Sequence, residues 1–283
     1  MSDTNGVSVE RRPPEAMFAL LGNETRLGIL RALVESDGPV SFSGLRERVG
    51  VRDSGQFNYH LGKLVGTFVK QDDEGYELTL AGLQLVGALV AGTYTAVASM
   101  DPIELDDPCP SCGGNTLRVT YDDEQVHVHC TACEVFRNQF SFPPGTLDQY
   151  DREELPGAFD RWLWTLFQRI TAGFCANCAG RLAGSLDIDE DPPRVEWRCE
   201  RCGDLASTSA STPVRYHPAA QGFFHDHGID LGMTPSWRLS SHLTTDETID
   251  GEAVIIEVTL DGDTLTARVG SDGTVTDVSR SDR

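Results

Sequence analysis

Eight cysteines, arranged as four CxxC pairs, constrain this chain more than any other feature. "CPSCGG" and "CTAC" supply Cys109, Cys112, Cys130 and Cys133, with 17 residues between the pairs. "CANCAG" and "CERC" supply Cys175, Cys178, Cys199 and Cys202, with 20 residues between the pairs. Each CxxC turn sets two thiolates on one side of a tight loop. The intervening stretches, "LRVTYDDEQVHVHC" and "LAGSLDIDEDPPRVEWRC", read as hairpins that return the second pair opposite the first. The expected product is a tetrahedral S₄ cage of the zinc-ribbon kind, made twice. Gly113 and Gly203, each directly after a second cysteine, give the backbone the freedom such knuckles need.

Disulfides would use the same thiols, but the N-terminal segment "MSDTNGVSVERRPPEAMF" has neither the basic start nor the apolar stretch of a secretory signal, and a cytosol keeps thiols reduced. A redox CxxC pair would explain one motif rather than four. Iron in a rubredoxin-like site also fits four thiolates, so zinc is the expected ion and iron the alternative. Four sulfur ligands leave no open position for water, which gives the two ions structural roles. His127 and His129 flank the first cage on one strand face and read as surface residues beside a complete ligand set. The ribbon recurs at an offset of 66 residues, from Cys109 to Cys175, so residues 101–210 read as a duplicated module.

The 283 residues are long enough for two or three domains, and 39% of them are hydrophobic. Asp and Glu total 44 against 23 Lys and Arg, a net charge of −21, and lysine occurs only at Lys63 and Lys70. An Asp-rich surface nearly free of lysine resembles that of proteins from salt-loving cells. The charge is uneven: residues 1–100 carry 9 basic against 12 acidic residues, and residues 101–283 carry 14 against 32. In about 1 M salt the Debye length is roughly 3 Å, so a distant acidic segment hardly repels a phosphate within reach of a nearby side chain. The counterion-release gain on binding DNA shrinks as well. No run reaches the length and apolarity of a membrane span, and a cytoplasmic location is expected.

Before the cysteines, helical spacing of apolar residues marks "EAMFALLGNETRLGILRALVES" as two helices broken at Gly22, with Asn23 capping the second. "SFSGLRERVG" reads as a short helix capped by Ser41 and stopped by Gly50. Asp53 then opens "DSGQFNYHLGKL", with Gln56 at the spacing of a capping box. Helix, short turn and capped helix form a helix-turn-helix pattern. Phe57, Leu61 and Leu64 make the inner stripe, which leaves Ser54, Gln56, Asn58, Tyr59 and Lys63 outside. Amides suit an adenine edge in the major groove, and Lys63 suits guanine or phosphate. His60 reads as a packed residue. "TFVKQ" and "GYELTL" follow as a two-stranded wing whose acidic tip, "DDE", leaves Lys70 as its expected phosphate contact.

"LGNETRLGILRAL", "FNYHLGKLVGTFV" and "GYELTLAG" resemble, in that order, the winged helix-turn-helix of ArsR-like prokaryotic and archaeal regulators. The resemblance covers residues 15–90. It implies DNA binding by the helix at 54–65 and homodimerisation through flanking helices, for which "AGLQLVGALVAGTYTAVA" is the candidate, with Ala88, Leu89, Ala91 and Ala96 in close contact. Metal-sensing members carry cysteines near the DNA-proximal helices. Residues 1–100 hold none.

Between the ribbons, "DREELPGAFDRWLWTLFQRITAG" aligns Leu155, Phe159, Trp162, Leu163, Leu166, Phe167 and Ile170 on a helix expected to pack on the ribbons or a partner subunit. After them, "PVRYHPAAQGFFHDHGIDL" reads as a helix opening near Pro218. "WRLSSHLTTDE", "AVIIEVTLDG", "DTLTARVGSDG" and "TVTDVSR" read as a four-stranded antiparallel meander with Asp-Gly turns. His217, His225 and His227 suggest a metal site, but His225 and His227 stand at i and i+2 on the helix and diverge, so they do not read as one. A sheet with a helix across it is a place for a small effector, or simple packing.

The expectation is a multidomain α+β protein: a winged helix-turn-helix with dimerisation helix (12–100), zinc ribbon (101–145), connecting helix (146–172), second ribbon (173–210) and C-terminal α+β segment (211–283). The expected function is DNA-binding transcriptional regulation on double-stranded DNA. A protein-interaction adaptor of the transcription machinery is the alternative. No nucleophile–base constellation or phosphate-binding glycine loop is present, so no catalysis is expected.

Overall fold

The computed structural model describes residue 6 and residues 8–133, 135–239 and 244–281. The chain is mixed α+β and divides between Ala96 and Val97 into two compact units.

In the first unit, helix α1 (Pro14–Leu21) is followed by α2 (Glu24–Val34), where the Asn23 side chain accepts the Arg26 N–H at 3.2 Å. Helix α3 (Phe42–Val49) starts where Ser41 Oγ accepts the Gly44 N–H. It stops at Gly50, which takes φ +75° and returns its N–H to Arg46 and Glu47. Helix α4 (Ser54–Leu64) is capped by Asp53, whose Oδ1 accepts the Gln56 N–H at 2.7 Å. Only that half of the expected capping box forms, so the Gln56 amide stays clear of the cap. Strands β1 (Val69–Gln71) and β2 (Tyr76–Leu78) then pair antiparallel, and Val40 adds a bridge to Tyr76 through hydrogen bonds of 3.0 and 2.9 Å. Gly75 is required there, because a Cβ at its φ of +145° would lie 2.6 Å from the Val40 carbonyl oxygen.

Helix α5 (Leu80–Val90) is shorter than the 81–98 stretch suggested for dimerisation. Its C-terminus is closed at Gly92, φ +73°, and residues 91–95 turn. The core of this unit joins Ile29, Leu30 and Leu33 from α2, Leu45 from α3, Phe57, Leu61 and Leu64 from α4, Val69 from the hairpin and Val86 from α5.

Among its described residues the second unit holds three antiparallel sheets in simple up-and-down order. Strands β3 (Met100–Leu105), β4 (Leu117–Asp122), β5 (Gln125–Cys130) and β6 (Arg137–Ser141) form the first. After helix α6 (Leu155–Thr171), β7 (Leu182–Asp187), β8 (Arg194–Cys199) and β9 (Leu205–Ser209) form the second. Both hairpins expected between cysteine pairs are present. The flanking strands β3, β6 and β9 were not expected from the sequence; they are short, and their polar residues hide the alternation.

Helix α7 (Pro218–Asp226) precedes a four-stranded meander of β10 (Thr244–Asp250), β11 (Ala253–Leu260), β12 (Asp263–Val269) and β13 (Val275–Ser281). The meander's first strand begins later than "WRLSSHLTTDE" suggests, because Ser236–Leu239 form a single helical turn, α8. Asp160 caps that turn from α6, accepting the Ser236 N–H at 3.1 Å and O–H at 2.7 Å.

Helix α6 serves two cores. Leu155, Phe159, Trp162 and Leu163 pack with the first sheet, where Phe159 meets Tyr121 and Phe142. Trp164, Phe167 and Ile170 pack with Val195 and Trp197 of the second sheet and with Phe223, Phe224, Ile256 and Leu265 of the C-terminal segment. The broad apolar stripe is thus split between two ribbons. The second sheet and the meander touch backbone to backbone: Leu186 N–H donates to Ser271 O at 2.8 Å, and a Cβ on Gly184 would lie 1.9 Å from Asp272 O.

Candidate metal centres and nucleic-acid interface

The knuckles form where each CxxC chain folds back on its own carbonyl. Gly113 N–H donates to Cys109 O, Ala179 N–H to Cys175 O and Gly203 N–H to Cys199 O, all within 2.9–3.0 Å. Gly113 and Gly203 take φ +72° and +77°, as their places after the second cysteine suggest. Ala179 holds the same place at φ +55° without a glycine's freedom, a conformation that disfavours a Cβ.

Two groups result, Cys109 with Cys112, Cys130 and Cys133, and Cys175 with Cys178, Cys199 and Cys202, their sulfurs all within 4.8 Å of one another. Neighbouring sulfurs stand 3.8 Å apart in the first (Cys109–Cys133 and Cys112–Cys130) and 3.7 and 3.5 Å in the second (Cys175–Cys202 and Cys178–Cys199). A disulfide needs about 2.05 Å. A tetrahedron with metal–sulfur bonds of about 2.3 Å has edges of about 3.8 Å, so these are metal-binding geometries.

Backbone N–H groups point at the sulfurs, as they do where thiolate charge is held. Ala132 and Cys133 donate to Cys130 Sγ, and Arg201 and Cys202 to Cys199 Sγ, at 3.4–3.5 Å. The Thr116 hydroxyl and these amides hold Cys130 down to about 6, and the Cys202 and Arg201 amides hold Cys199 down to about 6. In each cage another thiol moves the opposite way. A lowering bond from the Gly114 amide is outweighed at Cys112 by burial and three adjacent thiols, which push it up to about 11. Burial pushes Cys175 up to about 12. Four thiols at this spacing cannot all ionise alone; a divalent cation would let them. With four sulfurs in place the tetrahedron is full, and the cages are structural metal sites with no vacancy for catalysis.

Outside the cages, His127 and His129 are half-buried on the outer face of β5. Burial and the neighbouring charges of Arg118, His127 and Arg137 hold His129 below its usual range. His217 caps α7 through Nδ1, and His227 bonds the Phe223 carbonyl and lies 3.4 Å from Asp263. Among the described residues, no other group gathers three metal-ligand side chains.

On α4, Phe57, Leu61 and Leu64 are buried, and Ser54, Gln56, Asn58, Tyr59 and Lys63 are all exposed. Lys63 Nζ stands 5.5 Å from the centre of the Tyr59 ring, which is 61% exposed. His60 is half-buried against Tyr59, its Nδ1 without a partner. Lys70 differs from the other candidates. Its ammonium is 2.5 Å from Glu77 across the hairpin, and that bond raises its pKa. The pair is solvent-exposed, with the Lys70 side chain 58% exposed, so the ammonium stays in contact with water.

Among the described residues no helix is long and apolar enough to cross a membrane. No curated protein and no solved structure matches the chain. Residues 14–89, within the first unit, match a domain of unknown function (DUF7347). Residues 106–275, more than half of the chain and including both cysteine cages, match another, so this protein belongs to the family of the domain of unknown function DUF7351.

Proposed function

We propose that the protein is a DNA-binding transcriptional regulator whose first unit is an ArsR-like winged helix-turn-helix and whose cages each hold a structural zinc ion. The carrying observation is the division of α4: one face is sealed in the core, and the other presents two amides, a hydroxyl, a phenol and an ammonium to solvent. Such a helix, preceded by a short turn from α3 and followed by a two-stranded hairpin, is suited to a major groove. The free Gln56 amide and Asn58 can each bond an adenine edge with two hydrogen bonds. Lys63, steadied over Tyr59, reaches guanine or phosphate.

The adaptor reading draws on the hairpin, where the Lys70–Glu77 pair and the acidic tip at Asp72, Asp73 and Glu74 offer little to phosphate. Binding of duplex DNA selected against the purified protein separates the two. Gln56→Ala and Asn58→Ala are each expected to cost about 1–3 kcal/mol and relax preference at particular bases. Lys63→Ala is expected to weaken all duplexes alike and, if it touches phosphate, to flatten the salt dependence by about one counterion. Lys70→Ala, whose ammonium must first leave Glu77, is expected to weaken all duplexes alike but less than Lys63→Ala. Parental binding by all of these variants supports the adaptor.

A further inference from the structure

We infer that the metal end of the second ribbon carries a contact surface for single-stranded nucleic acid, formed by Phe174, Arg181, Arg198 and Leu205. It does not depend on the role given to α4, which lies in the other unit.

The strand register places these side chains together. On β7, Leu182, Gly184 and Leu186 are the more buried residues, and Ala183 and Ser185 are exposed. On β8, Val195, Trp197 and Cys199 are buried and Arg198 is exposed. Arg198 pairs with Ala183 on one side and with Leu205 on the other, so it sits mid-sheet on the outer face. Arg181, just before β7 and two residues from Ala183 on the same face, bridges Phe174 on its far side. Diagonal neighbours of this kind stand about 7–8 Å apart. Phe174 is 54% exposed and Leu205 47%, an aromatic and an aliphatic surface on either side of two guanidinium groups. Arg201, in the knuckle, lies off this face: its Cβ is 3.1 Å from where a Cβ on Gly180 would stand, on the side of the Cys178 and Cys199 sulfurs.

Exposed Arg181 and Arg198 make no ion pair with any described residue, although Glu196 and Glu200 flank Arg198 on the same face and the Glu200 N–H donates to the Arg181 carbonyl at 3.1 Å. Elsewhere in this unit, Arg118, Arg238, Arg268 and Arg280 are each joined to a carboxylate. The corresponding face of the first ribbon spends Arg118 on Glu104 and carries no exposed aromatic. In a segment with 32 acidic and 14 basic residues, Arg181 and Arg198 thus stand without an ion pair beside an exposed ring. Guanidinium groups beside an aromatic face are the chemistry of an unpaired nucleotide strand: phosphates meet the cations and a base stacks on the ring. In duplex DNA the bases are already stacked on each other, and Phe174 has nothing to receive.

The test uses the full-length metal-loaded chain, a short fluorescent oligothymidine and the same oligomer annealed to its complement, read by anisotropy over a salt series. The expected result is binding of the single strand that Arg181→Ser with Arg198→Ser weakens by at least about tenfold, flattening the logarithmic salt slope by about 1.4, roughly 0.7 per phosphate contact. Phe174→Leu is expected to weaken it by at least about fivefold, the lower end of a lost stacking contact, and Phe174→Tyr to preserve it. Gln56→Ala with Asn58→Ala is expected to leave single-strand binding unchanged; its effect on duplex alone bears on α4. The inference is overturned if the ribbon variants, with both metal ions retained, bind the single strand as the parent does. It is also overturned if the parent binds only duplex, or if polyglutamate displaces the oligomer at matched charge, which would make the patch a surface for acidic protein.

Discussion

Glycines show how closely each cage is fitted to its surroundings. A Cβ on Gly180 would stand 3.0 Å from Cys199 Sγ and 3.1 Å from Cys178 Sγ, whereas one on Gly114, at the like position of the first ribbon, would stand 3.6 Å from Cys112 Sγ. The sulfurs of a filled tetrahedron cannot yield without losing metal–ligand geometry. The parent is therefore expected to bind two zinc ions per chain. Gly180→Ala should keep one and hold the other roughly 10–100-fold more weakly, the scale of a disturbed ligand environment, and Gly114→Ala should keep both. Metal analysis with a chelator titration checks this. Stoichiometric iron, or unchanged affinity in Gly180→Ala, contradicts it.

A second residue carries a pH signature. Burial holds the Asp160 carboxyl above the ordinary carboxylate range, against the lowering bonds from Ser236 and the charges of Arg215 and Arg161. The unfolded chain ionises this group at about 3.9 and the folded chain at higher pH, so between the two values the folded state holds more protons. Stability from this group is complete below the unfolded value and is lost as pH rises through the folded one. In denaturant titrations, the parent's stability relative to Asp160→Asn should fall as pH rises through that window and then level off. A relative stability that is flat or rises there contradicts the assignment, and the subtraction removes any common effect of metal loss at low pH.

At the scale of elements, local chemistry was the readable part. The caps at Asn23, Ser41 and Asp53, the stop at Gly50 and the two cysteine hairpins each depend on residues a few positions apart, and each is present. What was not readable depends on distant partners. The turn at Ser236–Leu239 is capped from Asp160, 76 residues away, and β3, β6 and β9 exist because a hairpin already formed offers them an edge. The early end of α5 did have a local signal, Gly92, which the apolar run around it obscured.

That shorter helix changes the expected dimer surface. Ala88, Leu89, Ala91 and Ala96 are half-buried within the unit, while Leu80, Leu83, Gly87 and Val90 fall on one exposed line, with Leu80 71%, Leu83 53% and Val90 60% exposed. Fully burying such a side chain contributes about 1.5–3 kcal/mol, so pairing α5 with its copy is the expected route to a dimer. Light scattering in high salt should give a dimer for the parent and a monomer for Leu83→Asp with Val90→Asp. A monomeric parent, or a dimer in the variant, contradicts pairing through this helix.

At the scale of the whole molecule, the acidic charge and the proposed DNA contact occupy different parts of the sequence. Of the net −21, residues 1–100 contribute −3, and the exposed side chains of α4 include Lys63 but no carboxylate. Concentrated salt would screen the remainder over roughly 3 Å. Recognition there must lean on hydrogen bonds and shape, which is why the two amides of α4, rather than net charge, carry the proposed function. The most direct test is to sequence the DNA that co-purifies with the protein after crosslinking in its native cells. The expected result is one recurring duplex motif, arranged as two half-sites for a dimer, which disappears with Gln56→Ala and Asn58→Ala while protein level and zinc content hold. DNA with no shared motif, or the same motif recovered with both amides removed, would contradict sequence reading by α4.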